Sequence, residues 1–374
     1  MAEFDVLIAG AGPAGSATAI SLAAFAPALR VALIAAPATE TVPIGETLPP
    51  QIKPVLRHLN VWEAFVADGH RPSYRTVSAW GGAGLVSNEF LFQTHQTGWR
   101  LDRARFNAML VAKASERATP IVAKIAAAVA ADGEWRIRLD DGARYSARFI
   151  VDATGRGARI ARAQGMRSEN RDRLVGIAML FEDERADGNG LMLETCPDGW
   201  WYTAALPQGR RVVVAMTDAD LVRGAGLNER AGFRRALLET HHVRAAAAHA
   251  RALGGPLLRP AGSRRIIHET ALPLLCVGDA ASCFDPVSGQ GIFKALRSGV
   301  FASYAIADYL ERGDSDGLRR YTALIKAEFA SYCDTLRDYY RQESRWSESA
   351  FWARRRKGAQ VQNEPGALAV ADPS

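Results

Sequence analysis

Phe4-Asp5-Val6-Leu7-Ile8-Ala9-Gly10-Ala11-Gly12-Pro13-Ala14-Gly15 is a short apolar run that ends in a G-x-G-x-x-G. The run reads as a buried parallel strand. Small and apolar residues at helical spacing follow over 16–26, and Arg30-Val31-Ala32-Leu33-Ile34 reads as the next strand. Strand, glycine turn, helix and strand together form the dinucleotide-binding βαβ unit. In that unit Gly10 makes the tight turn, Gly12 lets the backbone approach a diphosphate, and Gly15 lets helix and strand pack closely. The diphosphate sits at the helix start, over Pro13 and Ala14, on free N–H groups at the positive end of the dipole. One part is missing. Ala35-Ala36 stand where an acidic residue would hold the adenosine ribose, with Glu40 in the following loop as its substitute and Arg30 ahead of the strand.

The rest of the composition narrows the class. A chain of 374 residues predicts two domains, and 48% hydrophobic with 23% charged residues excludes a disordered or collagen-like chain. Cys196, Cys276, Cys283 and Cys333 lie far apart with no C-x-x-C pair. That excludes a disulfide framework and a zinc ribbon, and predicts a reduced, cytoplasmic protein without a metal site. The net charge of +6 comes from basic residues spread along the chain, apart from Arg354-Arg355-Arg356-Lys357. A nucleic-acid partner would need a clustered basic face, so none is expected. No stretch is long and apolar enough for a membrane span, since Pro27 and Arg30 interrupt 17–36. The acidic start Met1-Ala2-Glu3-Phe4-Asp5 does not read as a signal peptide.

The far end of the chain names the cofactor class. Leu274-Leu275-Cys276-Val277 reads as a buried strand, followed by Gly278-Asp279-Ala280-Ala281 and then Asp285-Pro286-Val287-Ser288-Gly289-Gln290-Gly291-Ile292. By residue type alone Asp279 is a turn or cap aspartate. Together with the first motif, the pair resembles the FAD-dependent monooxygenase superfamily of the p-hydroxybenzoate hydroxylase type. That resemblance implies FAD as cofactor. It gives Asp279 the ribityl hydroxyls, and starts a helix at Pro286, Gly289, Gly291 and Ile292 that is aimed at the pyrimidine edge of the flavin. Phe149-Ile150-Val151-Asp152-Ala153-Thr154-Gly155-Arg156 is similar to the middle motif of the superfamily. Its D-A-T-G replaces the D-G-x-x-S-x-x-R of hydroxylases that reduce their own flavin, and is closer to flavin halogenases and quinone-cofactor maturation enzymes. Whether NAD(P)H acts directly or through a separate flavin reductase stays open.

Further loops resemble the halogenase-like branch. Ile44-Gly45-Glu46-Thr47-Leu48-Pro49-Pro50 is similar to its G-E-[ST]-L-P-P loop, which makes Glu46 and Thr47 cofactor-binding candidates. Gly98-Trp99-Arg100-Leu101-Asp102-Arg103-Ala104-Arg105-Phe106 resembles its W-x-[LV]-D-R-x-x-F helix entry. Asp102 has N-cap chemistry there, and Arg103 or Arg100 would meet flavin phosphate or ring. Gly199-Trp200-Trp201-Tyr202-Thr203-Ala204-Ala205-Leu206-Pro207 is similar to a G-W-x-W-x-I-P segment, and reads either as a packed aromatic strand or as a wall of the substrate pocket. Halogenation would need a lysine near Val77-Ser78-Ala79-Trp80-Gly81 and a glutamate where Ser288 stands, and neither is present.

What remains resembles flavoproteins of the LodB, GoxB and QhpG kind, which mature protein-derived quinone cofactors. The implied activity is hydroxylation of an electron-rich indole or phenol through a flavin C4a-hydroperoxide, on a free aromatic or on a tryptophan or tyrosine of a partner polypeptide. A halogenase, a geranylgeranyl-reductase-like C=C reductase and a non-catalytic flavin-bound accessory protein are the alternatives. Catalytic candidates are His95, Ser288 and Trp200, with His58 and His268 candidates by residue type only.

The implied fold is α/β: a Rossmann-type FAD-binding domain with an inserted mixed β-sheet substrate domain and a C-terminal helical segment. The FAD-binding domain takes 1–75, 99–165 and 271–310, and the substrate domain 76–98 and 166–270. C-terminal helices take 311–357, and 358–374 reads as a disordered tail. The alanine- and arginine-rich stretch 227–253 reads as helix.

Overall fold

Residues 3–37, 47–90, 94–184 and 190–356 are described by a computed structural model of the chain. The opening unit is β1 (Phe4–Ala9), α1 (Pro13–Phe25) and β2 (Val31–Ala35). It is followed by β3 (Thr47–Leu48), α2 (Ile52–His58), α3 (Trp62–Ala67), β4 (Arg71–Ser73), β5 (Arg75–Ala79) and β6 (Val86–Glu89). Next come β7 (Gly98–Arg100), α4 (Arg103–Ser115), β8 (Thr119–Val122), β9 (Ile125–Ala131), β10 (Glu134–Leu139), β11 (Arg144–Asp152) and α5 (Arg159–Ala163). The second half begins with β12 (Ser168–Asn170), β13 (Leu174–Glu182), β14 (Leu191–Cys196), β15 (Gly199–Leu206) and β16 (Arg210–Asp218). Then follow α6 (Arg230–Glu239), α7 (His242–Ala246), β17 (Arg251–Pro260), β18 (Arg264–Ile266), β19 (Leu274–Cys276) and β20 (Ser282–Cys283). Three helices close the described chain: α8 (Gly291–Arg312), α9 (Asp316–Arg341) and α10 (Ala350–Arg356).

The first sheet has the order β8-β2-β1-β11-β10-β9, with β19 also paired to β11. β1, β2, β8, β11 and β19 run parallel, and every residue of β1 is buried, as a strand covered on both faces requires. α8 packs along α1 because Gly299 has no side chain: a Cβ there would run into the Ala14 carbonyl. Strand order reverses around β1, with β2 on one side and β11 on the other. Ligands of such sheets bind outside the carboxyl ends of the strands at that switch point.

The second sheet has the order β17-β13-β16-β15-β14-β5-β6, antiparallel except where β14 meets β5. One face is covered by Phe233, Leu237 and Val243 of α6 and α7. The other face meets Tyr340, Phe351 and Trp352 from the C-terminal helices. The architecture is therefore α/β, a Rossmann-type layer joined to a mixed sheet and closed by C-terminal helices.

The single helix expected over 227–253 is corrected. Thr240 takes an extended backbone after α6, and the Glu194 carboxylate accepts the N–H groups of His241, His242 and Val243 to start α7. Beyond it β17 pairs with β13, setting Leu253 opposite Leu180 and Leu258 opposite Ile177. Cross-strand pairing outweighs the helix propensity of alanine there. Glu40, Glu46 and the segment 358–374 lie outside the described residues. Among the described residues no helix is long and apolar enough to cross a membrane, and no His/Cys/Asp/Glu group could hold a metal ion.

Candidate functional site

The β1–α1 turn separates two uses of glycine. At Gly10, whose φ is +115°, a Cβ would strike the Ala153 carbonyl, and at Gly15 it would strike the Gly10 carbonyl. At Gly12 a Cβ would meet no protein atom within 4 Å. Gly10 and Gly15 thus serve close packing, whereas Gly12 borders open space. α1 starts there with Pro13 in its first turn, with no side chain capping it and no acidic residue. The first amide bonded within the helix is Ser16, 2.9 Å from the Gly12 carbonyl, so the N–H groups of Ala14 and Gly15 have no intrahelical acceptor. Free N–H groups at a positive helix end, bordering open space, suit a diphosphate.

The start of α8 repeats the arrangement. No side chain caps it at Gln290, its first turn holds no acid, and a Cβ at Gly289 or Gly291 would meet nothing within 4 Å. Pro286 begins the short turn that leads there, and Ile292 is buried in the first turn of the helix. Asp279 stands nearby in the turn between β19 and β20. Burial pushes its carboxyl up, but Lys294, Arg156 and Arg103 outweigh burial and hold it below its ordinary value. Lys294 Nζ lies 3.2 Å from Asp279 Oδ1 and 3.4 Å from the Gly278 carbonyl, and also donates to Ser282 O. Lys294 is only 2% exposed while the Asp279 side chain is 42% exposed. An anchored, ionised carboxylate with an open edge accepts hydrogen bonds from hydroxyl groups.

The charges acting on Asp279 tie three turns into one site. Arg103 comes from the start of α4, and Arg156 from the turn that follows Asp152. Asp152 is buried and organises that turn: Oδ1 accepts from Thr154 N at 3.0 Å and Thr154 Oγ1 at 2.6 Å, and Oδ2 from Ala161 N at 2.9 Å. Thr47 pairs with Arg100 across β3 and β7. Arg100 is fully buried, and burial, with Arg71 and Arg211 nearby, draws its guanidinium down to about 10. Open glycine cradle, anchored carboxylate and two uncapped helix starts fit a flavin dinucleotide.

The catalytic candidates fall in different places. Ser288 lies beside the open glycines, its Oγ accepting from Gln290 N at 3.3 Å. Trp200 is buried, and its indole N–H donates to Tyr340 Oη at 2.9 Å. His95 sits partly buried between β6 and β7, and no described contact joins it to Asp279 or to the cradle. His58 hydrogen-bonds Tyr304 Oη at 2.9 Å, and His268 bonds the Leu274 carbonyl at 2.9 Å. Lys294, Asp285, Tyr340 and Glu343 were not singled out by sequence. Signals existed for Asp285, which opens the 285–292 motif, and for Lys294, a lysine in an otherwise apolar first turn of α8.

The aromatic face of the second sheet packs against the C-terminal helices. Trp80 lies 6.2 Å from Trp200 and 5.7 Å from Trp352 between ring centroids. Glu343, fully buried, accepts from Gly81 N at 3.1 Å and Thr195 Oγ1 at 2.7 Å, and pairs with Arg345 at 2.6 Å. These bonds pin the segment after α9 onto β5 and β14.

Residues 3–330 match a family described as FAD binding domain. LodB of Marinomonas mediterranea, an FAD-dependent oxidoreductase by name, is 28% identical over 97% of this chain and 100% of its own length. The flavin-dependent halogenase CmlS superposes with a TM-score of 0.85 at 22% identity, covering 95% of this chain and 68% of its own. QhpG, a peptidyl tryptophan dihydroxylase essential for tryptophylquinone cofactor biogenesis, superposes with a TM-score of 0.76 at 27% identity. That match covers 99% of this chain and 81% of QhpG.

Proposed function

The chain belongs to the FAD-binding domain family, and from that premise we propose that it is a monooxygenase acting on a tryptophan or tyrosine side chain of a partner polypeptide. The observation that carries this reading is similarity over nearly the whole of this chain to LodB, an FAD-dependent oxidoreductase by name, and to the peptidyl tryptophan dihydroxylase QhpG. Both are more similar in sequence than the halogenase of higher TM-score. The residues add support against halogenation. β5 and the Trp80-Gly81 that follow it contain no lysine, and Ser288 replaces a glutamate.

In this reading the α1 start at Gly12 binds the FAD diphosphate, with Arg103 as counter-charge. Asp279, kept ionised by Lys294, takes the ribityl hydroxyls. The turn at 289–292 and the positive end of α8 face the ring and favour negative charge there. FAD, when bound and reduced, supplies with dioxygen the oxygen atom inserted into the aromatic ring. Trp80, Trp200 and Trp352 form a packed aromatic layer on the side of the substrate sheet. The Asp152-Ala153-Thr154-Gly155 turn lacks the pattern of self-reducing hydroxylases, so a separate flavin reductase supplies the electrons.

The test is oxygen uptake and product mass with FAD, NADH, a flavin reductase and chloride. Free indoles, free phenols and candidate partner polypeptides are offered in parallel. The expected result is a polypeptide heavier by one oxygen atom per hydroxylation. Hydroxylation of free aromatics alone would move the substrate class. A chlorinated product would make the chain a halogenase, and C=C reduction without oxygen uptake a reductase. Peroxide as the sole product with every substrate would favour an accessory role.

A further inference from the structure

Asp285 is 1% exposed, in the junction where the flavin-side turn, the second sheet and α9 meet. It is the N-cap of the short turn Pro286–Ser288, and its Oδ1 accepts from Val287 N at 2.9 Å. Its Oδ2 accepts from Tyr340 Oη at 2.8 Å. The same tyrosine oxygen accepts from the Trp200 indole at 2.9 Å. On the backbone side, Asp285 N donates to Tyr332 Oη at 2.6 Å, which lies 2.7 Å from Ser263 Oγ. Phe284, one residue earlier, stacks on Tyr332 at 3.9 Å.

We propose that Asp285 is a positioning residue, whose carboxylate fixes the 286–291 turn against the flavin and couples that turn to the substrate sheet through Tyr340 and Trp200. The hydrogen bonds run in one direction. An indole N–H can only donate, the phenol oxygen accepts it while its own O–H donates to the carboxylate, and an ionised carboxylate only accepts. Val287 N–H occupies the second oxygen, so a shift of Tyr340 reaches the turn through one rigid group. Because the turn leads directly into Gly289 and the start of α8, its position sets where that helix end lies.

The junction is also poised in charge. Burial pushes the Asp285 carboxyl up, Asp172 adds to this, and Val287 N–H, Tyr340 and Arg355 oppose it, leaving it at about 7. Tyr332 and Tyr339 face it as neutral phenols whose own ionisation it opposes. Protonation would place a second donor where Tyr340 already donates. Asparagine has the same problem: it offers one acceptor oxygen to two donors, so either the Val287 or the Tyr340 bond is lost.

This inference rests on the reading of 286–291 as the flavin-facing turn, and the experiment separates the two. FAD is titrated into the wild type and into D285N, Y340F and G291V, and the bound-flavin visible spectrum and reduction potential are followed from pH 5.5 to 8.5. The wild type is expected to show an inflection near pH 7 that is absent in D285N. D285N is expected to bind FAD about tenfold more weakly, the loss of one charge-assisted hydrogen bond. Y340F keeps the Val287 bond and is expected to bind FAD within about twofold of wild type, with the inflection moved to higher pH because the carboxylate has lost a donor. A wild type without inflection, or an inflection unmoved in Y340F, overturns the proposal even if D285N does not fold. G291V adds a side chain where no protein atom stands. If G291V leaves FAD binding and spectrum unchanged, the turn does not face the flavin and the underlying reading fails. If G291V loses FAD while D285N keeps wild-type affinity and pH profile, the positioning role alone fails.

Discussion

Around Gly12 the chain leaves side chains out, and around Asp285 it packs them in. At the cradle a Cβ on Gly12, Gly289 or Gly291 meets no protein atom, and two long helices start without a capping side chain. At the aromatic junction Trp200, Tyr340, Phe351 and Trp352 are buried together, and the carboxylates of Asp285 and Glu343 have every oxygen bonded. The first region keeps backbone donors for a ligand, and the second satisfies its polar groups internally. Substitutions should therefore separate binding from stability according to the region they fall in.

The largest separation is expected at Gly12. Its φ of −70° suits any residue and its Cβ would meet no protein atom, so G12V should fold with wild-type thermal stability. The same valine would occupy the diphosphate space, and FAD affinity should fall by about a thousandfold, or ~4 kcal/mol. Flavin fluorescence titration beside a melting curve of the apoprotein reads both. G15V should show the reverse order, because its side chain strikes the Gly10 carbonyl and destabilises the fold itself.

Glu343 tests the packed region. E343Q leaves Arg345 without its carboxylate and places an amide where donors converge, so it should cost on the order of 2–3 kcal/mol in chemical denaturation. FAD affinity of the folded fraction should change by less than about twofold, since no bond of Glu343 reaches the cradle. A large loss of FAD affinity with unchanged stability would mean that the two regions are not separable.

How much of this was legible follows from sequence distance. The glycine turn is contiguous, so spacing alone assigned Gly10, Gly12 and Gly15 their separate jobs, and Asp279 and Gly289 were found inside short motifs. The junction is assembled from pairs that sequence holds far apart. Trp200 and Tyr340 are separated by 140 positions, Thr195 and Glu343 by 148, and Gly81 and Glu343 by 262. Helical periodicity reports which face is buried, not where a hydroxyl such as that of Tyr340 points. Lys294 shows the same limit at short range. Its role depends on three acceptors converging on one ammonium group, a geometry that composition does not encode. The helix expected over 227–253 breaks for the related reason that Glu194, distant in sequence, accepts the N–H groups of His241, His242 and Val243, and that the last residues of the stretch join β17.

Within the packed region the two buried acids should differ in sign. Glu343 is pushed up by burial but held at about 2 by Arg345, Thr195 and two backbone N–H groups. Its stabilisation is present above the unfolded value of 4.5 and is lost as pH falls toward 2. Asp285 instead rises to about 7 in the folded chain from an ordinary 3.8. The folded form then holds a proton that the unfolded chain has released, so stability should fall as pH rises toward 7. Between pH 6 and 7 this amounts to about 1 kcal/mol in the difference between wild type and D285N. Parallel pH curves for the two proteins would remove the assigned titration from Asp285.

The smallest effect belongs to a helix start that is neither open nor packed. Asp102 caps α4, its Oδ1 accepting from Arg105 N at 3.1 Å, whereas α1 and α8 have no such side chain. α6 and α9 also start without a capping side chain, so an open start alone does not mark a cofactor site, and the cap on α4 is expected to act mainly on folding. D102A should then lower stability by about 0.5–1 kcal/mol, the usual cost of a lost aspartate cap. Because α4 also carries Arg103 toward Asp279, fraying of its first turn should weaken FAD binding by no more than about threefold. D102N keeps the capping oxygen and should restore most of the stability. A D102A protein of wild-type stability that binds FAD far more weakly would place the start of α4 with the cradle instead.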